Sequence, residues 1–211
     1  MPLATSVVVR AADSRADRSI AVHLPSFGSV RTRSDRPRGW KPVATAPGIA
    51  ASVAFFLLFW LLLTDADGYI RVLDDANLIF HEAGHPIFAI LGSTLGLYGG
   101  TLGQLAFPVL TSIAFWRRRE TVSLAVTLAW FFENFFSIAR YMADARVQIL
   151  PLVGGGQHDW EAIFTRWGAL HADTQIAGVV RALGWLGLAA TWGWLAWRWH
   201  RDRQAARSAA P

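Results

Sequence analysis

The chain has 211 residues, 53% of them hydrophobic and 13% aromatic, with a formal net charge of +5 and no cysteine. Zero Cys excludes disulfides and thiolate metal sites, leaving imidazole nitrogen and carboxylate oxygen as the donors for a metal such as zinc. Charge is pushed to the ends and into short loops, so the basic excess reads as a topology signal and a contact with membrane lipid rather than a nucleic-acid surface.

Residues 1–42 mix Arg, Asp, Ser, Pro and Ala without sustained periodicity, which predicts a disordered basic N-terminal tail. Residues 42–64 then carry no charge, and 47–63 is the first expected span, with Trp60 near one interface. That run ends in Thr64-Asp65-Ala66-Asp67 rather than in a small-residue cleavage site, so it is expected to be retained as an anchor.

After an acidic connector at 65–75, a second segment starts near Asn77, and 86–116 is again uncharged. One helix over 77–116 would be about 60 Å long, twice the hydrocarbon core, so the chain must turn; Tyr98-Gly99-Gly100 is the expected place. Arg117-Arg118-Arg119-Glu120 closes the return limb. A further span is predicted at 121–140 and a last one at 174–197, whose tryptophans at 185, 192, 194 and 197 suit a lipid-interface belt. Between them lies a polar segment, 141–173, in which Gly154-Gly155-Gly156 reads as a flexible turn.

The sum is an all-α, polytopic helical membrane protein with four to five hydrophobic segments: a membrane domain over 43–200 and a short basic tail over 201–211. Basic clusters before span one (Arg31, Arg33, Arg36, Arg38, Lys41), at Arg117 to Arg119, and at Arg198, Arg201, Arg203 and Arg207 all belong in the cytoplasm by the positive-inside rule. Both termini are thus expected to be cytoplasmic, in a multi-pass protein of a bacterial inner (plasma) membrane. The region 77–116 must then cross a net odd number of times, which makes one limb of its hairpin re-entrant. The same parity sets His81 and the 141–173 segment near one side.

The chemistry is carried by His81-Glu82-Ala83-Gly84-His85, an H-E-x-x-H sequence among apolar flanks, where ionisable groups are costly and usually functional. Four residues apart on a helix, both imidazoles share a face and can bind one Zn²⁺, while Glu82 reaches the attacking water as general base. A pair of satisfied core histidines is the competing reading. Pro86 removes the amide that would bond the Glu82 carbonyl, which predicts a kink.

Glu133, Ser137, Arg140 and Asp144 fall at offsets of four, three and four, forming one polar stripe expected to face the interior. Asp144 is the favoured third zinc ligand because it sits on a rigid element. His158, beyond the glycines in an expected mobile loop, is its rival. Glu133, Asn134, Arg140 and Asp159 are expected around the ligands or at the substrate. A ladder in which Arg140 pairs with Glu133 or Asp144 is the structural alternative.

At Phe80-His81-Glu82-Ala83-Gly84-His85, with glycines following and a membrane setting, the chain resembles the site-2 protease class of intramembrane zinc metallopeptidases. The resemblance implies His81 and His85 as ligands, Glu82 as general base and Asp144 as the later aspartate. Ala143-Asp144-Ala145 stands where that family carries an Asn-Pro-x-x-Asp-Gly signature. The expected function is membrane-embedded zinc-dependent peptide hydrolysis, with a membrane protein or peptide as substrate and residues 92–103 gating its entry. The rivals are a non-catalytic membrane protein with a structural metal or polar cluster, and a small transporter using Glu133, Arg140 and Asp144 as an ion path.

Overall fold

The computed structural model describes residues 39–65, 68–153 and 156–209. Over these the chain is helical, without strands: α1 (Thr45–Thr64), α2 (Arg71–Ala89), α3 (Ser93–Arg118), α4 (Thr121–Ala143), α5 (Asp159–Trp167) and α6 (Asp173–Ser208), with a 3-10 turn at Leu170–Ala172. The all-α class read from the sequence is the class observed. The expected tail up to residue 38, with Arg31, Arg33, Arg36 and Arg38 of the basic cluster, and the glycines at 154 and 155 lie outside the described residues.

Three described helices are long and apolar enough to cross a membrane: α1, α4, and Leu170–Ser208, which contains α6. The chain is therefore a membrane protein by length and composition. α2 and α3 fall short because α2 carries Arg71, Asp74, Asp75, His81, Glu82 and His85, while glycine, threonine and Gln104 dilute α3. α4 packs along α6, and α1 packs on both through a core of Phe55, Leu62, Ala125, Ala129, Phe136, Leu188 and Leu195. α6 has 36 residues, about 54 Å, so it extends well past the expected end of the last span at 197.

One end of the bundle is pinned by polar bonds. The Lys41 amide donates to the Arg119 carbonyl (2.8 Å), the Thr121 hydroxyl to the Lys41 carbonyl (2.7 Å), and the Val43 amide to the Asp202 carboxylate (2.9 Å). Lys41, Arg117 to Arg119 and the arginines around Asp202 thus cluster together. α4 leaves this end at Thr121 and reaches Ala143; α5 lies in the connection beyond that far end.

α2 and α3 form an antiparallel hairpin whose turn is not at 98–100. It falls at Ile90-Leu91-Gly92, where Gly92 has φ 121°, a conformation that L side chains rarely adopt. Gly99 and Gly100 instead lie inside α3, and with Gly103 they let its backbone approach α2. A Cβ on Gly84 would collide with the Gly99 carbonyl, and one on Gly103 would lie 2.5 Å from the Phe80 carbonyl. Small residues at such spacing break no helix; they set how closely two helices meet. α2 continues through Pro86 for one more turn.

This closeness has a consequence at the motif, because a Cβ on Gly100 would enter the His81 imidazole. Gly100→Ala is expected to cost about 1–3 kcal/mol through overpacking and to displace that ring. Thermal unfolding in detergent would measure the cost.

Candidate metal centre

His81 and His85 lie one turn apart on α2, so both rings project from the same side, 5.0 Å between centroids. They line a cavity of about 960 Å³ together with Glu82 from α2, Gln104 from α3, Arg140 and Tyr141 from α4, and Asp159 from α5. The Asp159 carboxylate Oδ2 stands 3.0 Å from His81 Nε2 and 3.1 Å from His85 Nε2. One donor atom from each of the three lies within 4.8 Å of the others.

Hydrogen bonds behind the rings decide what these nitrogens can be. His85 Nδ1 lies 2.9 Å from the Gly96 carbonyl, which only accepts, so Nδ1 carries the proton. His81 Nδ1 faces Gln104 Oε1 at 3.3 Å. The Gln104 amide nitrogen donates to the Ser137 hydroxyl (2.6 Å), and that hydroxyl donates to the Asn134 carbonyl (3.3 Å), which orients Oε1 as the acceptor toward His81. With Nδ1 engaged in this way, each ring turns its Nε2 toward the same Asp159 carboxylate oxygen. Three potential metal donors therefore converge, one atom from each residue, in an arrangement that suits a shared cation.

The donor chemistry fits zinc. Two imidazoles and one carboxylate, with the far ring nitrogens tied to a carbonyl and an amide, match the pattern of three protein ligands plus an open position found in catalytic zinc sites. Glu82, exposed to the cavity, is the next residue along α2 from the first of these ligands.

α5 delivers Asp159 as its first residue. The His158 ring caps the helix by accepting from the Glu161 amide through Nδ1 (3.2 Å), and the Tyr141 hydroxyl accepts from the Asp159 amide (3.1 Å). Behind the cap, Trp160, Ile163 and Phe164 bury the helix against Ile138, Ala139 and Met142.

The third potential donor is thus Asp159, and the structure uses Asp144 and His158 differently. Asp144 ends α4 and accepts from the amides of Ile149 (2.9 Å) and Leu150 (3.1 Å), shaping the loop toward α5. His158 is buried, with Nδ1 committed to the cap and Nε2 3.4 Å from Asp144 Oδ2. Burial lowers the His158 pKa, and the Asp144 carboxylate opposes that shift, so the neutral ring that can cap the helix is favoured. It is a fixed helix cap rather than part of a mobile loop.

Glu133 and Asn134 do not line the cavity. Glu133 is fully buried and accepts from Asn77 (2.9 Å), which in turn accepts from the Trp130 indole (2.8 Å); the Asn134 amide donates to the Trp130 carbonyl. Arg140 does reach the cavity, where its guanidinium stacks 4.7 Å over the Tyr69 ring. Among the described residues it forms no ion pair with Glu133 or Asp144. The sequence reading missed Gln104 and Tyr141 as supports and gave Asp159 only a supporting place. Gln104 had one signal: it is the only carboxamide in the uncharged 86–116 run, four residues after Gly100.

No family model, curated protein or solved structure matches this chain.

Proposed function

We propose that this protein is a membrane-embedded zinc hydrolase that cuts peptide bonds near the lipid boundary. The observation carrying this reading is the convergence of His81 Nε2, His85 Nε2 and Asp159 Oδ2 beside Glu82 in an open cavity. Zinc bound there would acidify water and polarise a carbonyl. Glu82 would take the proton from the attacking water and return it to the leaving amine, so that one water and one amide become a carboxylic acid and an amine. Gln104 and Gly96 hold the two rings in the tautomer that keeps Nε2 free.

A peptide is the favoured substrate because the cavity offers both apolar walls, such as Leu97 and Leu152, and spaced polar groups. An extended or locally unwound segment is required, since a helical peptide bond is shielded by its own hydrogen bonds. The grouping of Lys41, Arg119 and the α6 arginines at one end supports a cytoplasmic placement for that end and for both chain termini. The site, beyond the far end of α4, then opens on the opposite face. The hairpin of α2 and α3 is read as the re-entrant element.

The direct test is elemental analysis of purified protein. Wild type is expected to hold close to one equivalent of zinc and His81→Ala only a trace; equal metal in both would end the proposal.

A further inference from the structure

α5 is a short bar fixed at both ends. Its first turn is held by the His158 cap and the Tyr141 hydroxyl, and its last by a bond from the Trp167 indole to the Tyr98 hydroxyl on α3 (3.0 Å). Two of its residues line the cavity, Asp159 and Arg166. Seven positions apart, they lie on one face, separated by about 10 Å along the axis. Asp159 is committed to the histidines. Arg166 is exposed and has no hydrogen-bond or ion-pair partner among the described residues, whereas Arg140 is stacked on Tyr69.

An unpartnered guanidinium lining such a cavity, carried on a helix fixed at both ends, is a receptor for a planar anion. An extended peptide advances about 3.3 Å per residue, so two helical turns of α5 correspond to three residues of bound chain. Resting on the zinc hydrolase reading above, we propose that Arg166 selects substrate by pairing with a carboxylate carried three residues from the bond that is cut. A phospholipid is disfavoured, because only a few glycerol bonds separate its phosphate from its ester carbonyls, less than the span from Asp159 to Arg166.

The test uses zinc-loaded full-length protein in detergent and peptide hydroxamates, which chelate the metal at one end. Each carries Glu, Ala or Lys at the third residue, with the chain extended in either direction from the chelating group. In one of the two directions wild type is expected to bind the Glu form about tenfold tighter than the Lys form. Arg166→Gln should erase that preference and Arg166→Glu invert it, with zinc content reporting that the donor set is intact. A Glu-to-Lys ratio unchanged by both variants would overturn the proposal. So would a short-chain phosphatidate that displaces every hydroxamate from wild type but not from Arg166→Gln. Should the Ala hydroxamate bind His81→Ala as well as wild type, the failure lies in the metal reading itself.

Discussion

Glu82→Gln is expected to keep its full complement of zinc and to lose peptide hydrolysis by a factor of about 10²–10⁴, the usual share of a general base. The two halves of this result depend on different atoms. Metal retention depends on His81, His85 and Asp159, whose donor atoms converge without Glu82. Turnover depends on a carboxylate able to take a proton, which a carboxamide of the same shape cannot do. Elemental analysis and the release of new amino termini from an extended peptide would measure the two separately. If zinc disappeared with the substitution, Glu82 would be a ligand and not a base. If cleavage persisted, another group would have to move the proton. A scaffold built around a structural metal should be indifferent to the change, and an ion path through Glu133 and Asp144 should respond to those residues instead.

How far the site was readable from the sequence depended on whether the signal was local. The motif was readable because a helical turn spaces His81 from His85 whatever the rest of the chain does. Likewise, α1, α4 and α6 announced themselves as long apolar runs. The hairpin turn was misplaced because Gly99-Gly100 is ambiguous: a glycine pair marks a turn in water, but inside a packed hairpin it marks the line where two backbones touch.

α5 was lost inside a stretch read as polar, although Trp160, Ile163, Phe164 and Trp167 follow the helical spacing of three, four and seven. Nine residues were too few to stand out beside three flanking glycines. That omission also hid Asp159, since a carboxylate in a loop has no defined direction, whereas the first residue of a capped, buried helix does. Asp144 drew the assignment through its place on a polar stripe. The stripe is real, but α4 ends at Asp144, and a carboxylate there meets the free amides of the departing chain before it meets anything across the cavity.

Asp159→Ala set against Asp144→Ala makes that distinction measurable. Loss of Asp159 removes one of three charged or lone-pair donors, and zinc affinity is expected to fall by more than about 100-fold, beyond the 10–100-fold typical of a residue that merely supports a ligand. Asp144→Ala strips the acceptor from the Ile149 and Leu150 amides and the neighbour from His158. Its expected cost is about 1–3 kcal/mol in stability, with zinc still bound. Competition with a chromophoric chelator gives the affinities, and thermal unfolding with excess zinc gives the stabilities. If the outcomes were exchanged, the carboxylate nearest the histidines would be serving only as their hydrogen-bond partner, and α5 would have to move for Asp144 to reach them. The connection makes that costly, because the same Asp144 oxygens that would bind metal now hold the loop that positions the His158 cap.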